Sequence, residues 1–278
     1  MLDDSGRYNK YLKDTFSKKE PKEIASLDVD RVRMRLLKKR APQTVQHVLN
    51  LLIWIINFGV KKGLCEGLSF HVQRPKVDNK TTEDLSEEQL ARLIEAIDED
   101  PNIQVANLMR LALNSGMRRG ELLELKWDDI DFNREFILIR HPKGGSSQMI
   151  PLNNTSRAIL QNHPRSRSPY VFPGKDDKRR VSVQQAVNKI KKRADLPEKF
   201  RPLHGLRHVF ASTLASSGKV DMYTLQKLLT HKSPLMTQKR YAHLRDDALK
   251  RASELAGRLI QGASNNKNNL LLISDHKE

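Results

Sequence analysis

Three short segments hold most of the side chains able to do chemistry. The first is Ser115-Gly-Met-Arg-Arg-Gly-Glu-Leu122, which leads to Leu125-Lys-Trp-Asp-Asp-Ile-Asp131. The second is Leu203-His-Gly-Leu-Arg-His-Val-Phe210, and the third is Leu228-Leu-Thr-His-Lys-Ser-Pro-Leu-Met-Thr-Gln-Lys-Arg-Tyr-Ala-His243. His204 and Arg207 are three apart and share a face if the second segment is a helix. Leu203, Leu206 and Phe210 then turn toward a core and the polar pair is expected to point out. Taken alone, such a pair is more often structural than catalytic. In the third segment Ser233-Pro234 is a cap-then-first-turn helix start, which puts Tyr241 about two turns into the helix. A single tyrosine is nearly always packing or surface, and Tyr8, Tyr11, Tyr170 and Tyr223 are read that way. Asp128, Asp129 and Asp131 are carboxylates of the kind two-metal nucleases use. Their place after Trp127 favours the end of a helix and the opening of a strand instead, so no metal site is expected.

The elements that must position these residues are mostly helical. In residues 1–71, Ser26 is the expected cap of a helix carrying Val29, Val32 and Leu36. Pro42 opens a longer helix with Val45, Val48, Leu49, Leu52, Ile56 and Val60 on one face, and Gly63 stops it. Between these helices Arg31 to Arg40 holds six cations and no acid. Such a run is usually a solvated face, but one sign beside apolar helix positions shifts the balance toward phosphate contact. Residues 72–84 are polar and lack periodicity, as in a linker. Ser86 and Gln89 then form a capping box, with Leu85 and Leu90 as its staple, and the helical pattern runs to about 125. Residues 134–140 and 148–152 are the expected strands, joined by a hairpin with Gly144-Gly145 at its tip. From 182 the chain is helical again. Residues 175–201 carry ten Lys/Arg against Asp176, Asp177, Asp195 and Glu198.

The chain has 278 residues and a formal net charge of +17, from 50 Lys+Arg against 33 Asp+Glu. A charge that large says little about fold but implies a polyanionic partner, nucleic acid first. Cys65 is the single cysteine, which excludes an intrachain disulfide framework and a Cys-based zinc site, and fits a reducing cytoplasm. The most apolar run, Leu51 to Ile56, is far too short for a membrane span, and the N-terminus lacks the basic-then-apolar pattern of a signal peptide. No membrane role and a cytoplasmic, nucleoid-associated place are expected.

In this order, the three segments resemble the signature of the tyrosine recombinase (phage integrase) family. That signature is an arginine in a G-x-R-x-x-E-L turn, an H-x-L-R-H helix, a histidine after a leucine pair, and a tyrosine ten residues further on. The glycine hairpin is similar to the family's lysine-bearing β-turn, and the stretch with Pro42-Gln-Thr44 running to Gly63 is similar to its core-binding domain. The match covers roughly 85–250. Carried over residue by residue, the resemblance assigns Arg118 and Arg207 to the scissile phosphate. Lys143, His204 and His231 complete the pocket, and Tyr241 is the nucleophile. Arg118 is preferred over Arg119 because it is third in Gly116-Met-Arg. Glu121 matches an acid that buttresses the arginines, and His208 matches a position better read as structural. Thr230 departs from the pattern, in which glycine usually precedes the histidine; that position sets loop geometry.

These residue types suit a phosphodiester, which is anionic and has a poor leaving group. Guanidiniums bind nonbridging oxygens with a bidentate fork and stabilise charge that grows in the transition state. Lys143, on the hairpin, is the candidate donor to the 5′-oxygen. A tyrosine at a reference pKa of about 10 is barely ionised at neutral pH, and His204 is the expected proton acceptor. A 3′-phosphotyrosine keeps the bond energy, so resealing needs no ATP, metal or other cofactor.

The expected fold is mainly α with a small antiparallel sheet, a two-domain DNA-clamping tyrosine recombinase (DNA breaking-rejoining) fold closing in a C shape around the duplex. Residues 1–72 form the helical core-binding (SAM-like) domain, truncated at its N-terminus and without an arm-site domain. Residues 73–84 are the linker, 85–262 the catalytic domain and 263–278 a tail. Arg40, Gln43, Thr44, Gln46, His47 and Asn50 are candidates for DNA contact. The implied partner is double-stranded DNA with specific recombination sites. A homo-tetramer is implied on that DNA, with a monomer in solution as an open alternative. Ala248, Ala252, Leu255, Ala256, Leu259 and Ile260 form an apolar stripe that either packs at home or, with Leu270 to Ile273, docks on a neighbouring subunit. Two rivals are a type IB topoisomerase-like enzyme and a non-catalytic DNA-binding protein.

Overall fold

Prolines and side-chain caps set where most helices begin. In this computed structural model the structure describes residues 3–77, 83, 85–142, 145–241, 250, 253–256 and 258. The chain divides into two compact units, 1–81 and 82–278.

The first unit contains α1 (Asp4–Tyr11), α2 (Lys13–Phe16), α3 (Ser26–Leu37) and α4 (Pro42–Lys61). Asp3 caps α1 by accepting the Gly6 N–H at 2.7 Å, and Pro42 opens α4 at a position whose N–H has no helical partner. Leu12, Phe16, Val29, Val32 and Leu36 pack with Val45, Val48, Leu49, Leu52 and Ile56 into one core. Three expectations change. Ser26 is the first residue of α3 rather than its cap; Ala25 precedes the helix, and the Asp28 carboxylate accepts the Ala25 N–H at 3.1 Å. The cationic run is only partly an inter-helix segment: Arg31, Arg33 and Arg35 lie within α3 beside the buried Val32 and Leu36, and only Lys38, Lys39 and Arg40 fall between α3 and α4. The buried face of α4 gains Leu51 and ends at Ile56, leaving Val60 43% exposed.

The second unit contains α5 (Glu87–Asp98), α6 (Ile103–Ser115), α7 (Arg119–Glu124), β1 (Ile130–Asp131), β2 (Phe136–Ile139), β3 (Gln148–Pro151), α8 (Asn154–Gln161), α9 (Gln184–Arg193), α10 (Pro202–Ser217), α11 (Met222–Leu228) and α12 (Pro234–Tyr241). The fold is mostly helical with a small antiparallel sheet, as expected. Helix α5 starts at the capping box: Ser86 Oγ accepts the Gln89 N–H at 3.2 Å, and Gln89 Oε1 accepts the Ser86 N–H at 3.0 Å. Helix α6 buries residues all round, including Val105, Leu108, Met109 and Leu111, and packs against both α8 and α10. The sheet runs β1-β2-β3, with Ile137 opposite Ile150 and Leu138 opposite Met149. Ile137, Ile139 and Ile150 face the core and Met149 faces out, which fixes the register, since a one-residue slip would expose every isoleucine. Strand β1 lies where the aspartate cluster was expected to open a strand, but as a separate two-residue strand ahead of the expected 134–140 one. Among the described residues no helix is long and apolar enough to cross a membrane.

Candidate active site

Arg118 takes its place because α6 has to stop. Gly116 closes that helix at φ +64°, and a Cβ there would lie 2.5 Å from the Phe210 ring, so both the turn and the packing require glycine. Arg118 caps α7: the Glu121 carboxylate accepts the Arg118 backbone N–H at 2.8 Å and its Nη1 at 2.8 Å. Thr230 holds the other side of the guanidinium, accepting Nη1 on its hydroxyl at 2.5 Å and Nη2 on its carbonyl at 3.2 Å. The Thr230 hydroxyl donates to Glu121 Oε1 at 3.2 Å. Thr230 sits at φ +48°, a region that β-branched residues avoid. That angle accounts for glycine at this position in the family pattern, and the extra contacts of the threonine offset its cost.

Arg207 does not point outward with His204. On α10 His204 is exposed, whereas Arg207 is only 5% exposed and Phe210 half-buried. The reason is hydrogen bonding. Arg207 donates Nη1 to the Gly116 carbonyl at 2.7 Å and Nη2 to the Leu229 carbonyl. Those carbonyls end α6 and α11, where helical acceptors lack partners and the dipole favours a cation. Burial, and then the nearby Arg118, pull the Arg207 pKa down to about 10; Glu121 and Tyr241 oppose them. At neutral pH the guanidinium keeps its charge.

Tyr241 is the last described residue of α12 and is 3% exposed, packed with Ala211, Ala215, Leu225 and Leu229. Its hydroxyl shares a 2.6 Å hydrogen bond with His208 Nδ1. The imidazole touching the phenol is therefore His208, which was expected to be structural, and not His204. His204 stands one step further off, with its Nε2 3.0 Å from His208 Nε2 and the two rings at 85°. The signal was present in the sequence: His204 and His208 are four apart and share one face of α10. Glu83, placed in the linker on sequence grounds, is 6% exposed and accepts Arg201 Nε on Oε1 at 2.6 Å. No local pattern marks it. His231 is half-buried, and its Nδ1 lies 2.8 Å from Thr237 Oγ1 on α12. Arg118, His204, Arg207, His208, His231 and Tyr241 all line one open cleft of about 800 Å³.

Other candidates lie elsewhere. Lys143 and Gly144 fall outside the described residues, as do Ala248, Ala252, Leu259, Ile260 and the tail 263–278. Leu255 and Ala256 are exposed. Two of the three aspartates are committed to structure: Asp129 accepts the Lys126 N–H at 3.0 Å and pairs with Arg140 at 2.5 Å, and Asp131 accepts the Asn133 and Arg134 N–H groups, while Asp128 is exposed. In the first unit Arg40 and His47 are exposed, and Gln43, Thr44, Gln46 and Asn50 are partly so. Gln43 Nε2 and His47 Nε2 are 3.2 Å apart.

Residues 83–248 match the phage integrase family. The chain belongs to that family, the tyrosine recombinases. The tyrosine recombinase XerA of Pyrococcus furiosus is 33% identical over 205 residues, covering 70% of each chain. The XerC tyrosine recombinase of Pediococcus pentosaceus is 27% identical over 266 residues, 89% of this chain and 87% of its own. In fold this recombinase is similar to the Tn1549 transposon integrase solved in complex with transposon right end DNA. The TM-score is 0.74 at 17% identity, covering 90% of this chain and 91% of that one. Like its family, this recombinase is a site-specific enzyme that cleaves and rejoins DNA strands.

Proposed function

We propose that this recombinase works through a covalent 3′-phosphotyrosine formed at Tyr241, with the scissile phosphate held between Arg118 and Arg207. The observation that carries this reading is the convergence of Arg118, Arg207, His204, His208 and His231 on one cleft with Tyr241, from segments far apart in the chain. Tyr241 Oη attacks phosphorus, its proton passing to His208 Nδ1 along the existing hydrogen bond. The P–O5′ bond breaks, and the leaving oxygen takes a proton from Lys143. Attack of a 5′-hydroxyl on the phosphotyrosine reverses these steps, restores the diester and frees Tyr241. Arg118 and Arg207 stabilise the charge that develops on the nonbridging oxygens. His231 adds a donor, and Glu121 positions Arg118.

The partner is double-stranded DNA carrying recombination sites, and the working assembly is a tetramer. The first unit is a core-binding domain that uses Arg40, Gln43, Thr44, Gln46, His47 and Asn50 on DNA, and the second is the catalytic domain. The exposure of those side chains and the charge of +17 support DNA contact. The test is Tyr241→Phe on a nicked recombination site. It is expected to bind DNA as the wild type does and to form no covalent adduct. Adducts in that variant would overturn the assignment of the nucleophile.

A further inference from the structure

One set of side chains at this cleft has the composition of a metal site. His204 and His208 are four apart on α10, the spacing by which one helix face presents two imidazoles to a zinc ion. Their Nε2 atoms are 3.0 Å apart, and Glu83 Oε2 lies 3.5 Å from one and 3.9 Å from the other. Tetrahedral zinc with bonds of about 2.0–2.1 Å needs ligand atoms about 3.3 Å apart; the 3.0 and 3.5 Å separations bracket that value, and closing the 3.9 Å one takes a side-chain shift of about 0.6 Å. A second observation is independent of that spacing. Glu83 is 6% exposed, its Oε1 is held by Arg201, and its Oε2 is buried and accepts no hydrogen bond among the described residues. A buried carboxylate oxygen without a donor is costly, and a cation relieves that cost. Two histidines and a carboxylate are a ligand set that leaves a fourth position open.

We propose that Glu83, His204 and His208 bind a divalent late transition metal, zinc foremost, and that the bound ion holds the recombinase inactive. The inhibitory half rests on the reaction proposed above. A neutral imidazole that coordinates through Nε2 carries its proton on Nδ1. His208 would then present a donor to Tyr241 Oη where the reaction needs an acceptor.

Zinc binding to the full chain, read by competition with a chromophoric chelator, tests the site without reference to activity. One Zn²⁺ per chain is expected, with Kd below about 10 μM. Co²⁺ substitution is expected to give the visible bands of a tetrahedral nitrogen and oxygen site. Glu83→Gln and His204→Asn, one isosteric and one at an exposed position, are each expected to weaken zinc at least about tenfold. Weaker binding by the wild type, or unchanged binding by both variants, overturns the site. For control of cleavage, zinc is expected to slow adduct formation on nicked DNA at least about tenfold, with recovery on adding EDTA. Glu83→Gln is expected to cleave without zinc and to resist its addition. Binding without inhibition keeps the site and overturns its control of Tyr241. A wild type that forms no adduct in metal-free buffer speaks against the proposed reaction and leaves the binding result standing.

Discussion

At the residue scale, His208 separates what the chain reveals from what only the fold reveals. Arg118, His204, Arg207, His231 and Tyr241 stand out as residue types at set intervals, and the structure gathers all of them in one cleft. Which imidazole meets the phenol depends on where α12 lies against α10, a contact between residues 33 apart that no local spacing encodes. If His208 accepts the phenol proton, His208→Asn should cut single-turnover cleavage by about 10²–10⁴ with DNA binding unchanged, a range set by general-base catalysis. Its pH–rate profile should also lose the limb that reports imidazole protonation, which a purely structural role would not remove. Cleavage within threefold of wild type, roughly 0.6 kcal/mol, would return the acceptor role to His204. Thr230 carries a similar lesson. The absence of glycine was visible in the sequence, but its ties to Arg118 and Glu121 depend on a loop 109 residues beyond Glu121.

Elements place these residues, and their ends matter more than their middles. The starts of α4, α5 and α12 were readable because Pro42, Ser86 and Pro234 act within one turn of themselves. The inward turn of Arg207 was not readable, since it depends on two helix ends that α10 meets only after folding. Gly116→Ala tests that junction. The left-handed turn and the Phe210 ring together should lower stability by more than about 1 kcal/mol, measured as a fall in the urea midpoint. Adduct formation should fall with it, because the Gly116 carbonyl anchors Arg207. A second prediction concerns the α6–α8 side of the core. His163 is 3% exposed, beside Asn107 and the Val171 carbonyl, and burial lowers its pKa from the ordinary value. The unfolded chain then binds that proton more readily than the native one. Stability should hold above the ordinary histidine value of about 6.5 and fall as pH drops below it toward the lowered native value. Thermal melts from pH 7.5 to 5 would show this, and His163→Gln should flatten the trend.

For the whole molecule, charge decides how DNA is held. From a chain of net charge +17, most DNA contacts are expected to go to phosphates, which carry no sequence information. Affinity for a recombination site should therefore fall by about 10³–10⁵ between 50 and 200 mM salt if six to ten phosphates are engaged. A change of less than about tenfold would mean that the charge lies away from the DNA. The division into units of 1–81 and 82–278 falls within a stretch whose polarity and lack of period were plain in the sequence, and the buried Glu83 near its end lies in the second unit. Arg207 has one more consequence, which concerns how such a molecule can lose its activity over generations. The same guanidinium assigned to the phosphate also ties together the ends of α6 and α11. Its loss removes two charged hydrogen bonds, each worth about 1.5–3 kcal/mol, out of a total stability of only about 5–15 kcal/mol. Tyr241→Phe, by contrast, keeps its ring in the packing. A lineage drifting toward a DNA-binding protein without strand cleavage should therefore shed the tyrosine hydroxyl first and keep the arginine, so a retained Arg207 on its own is no sign of a living enzyme.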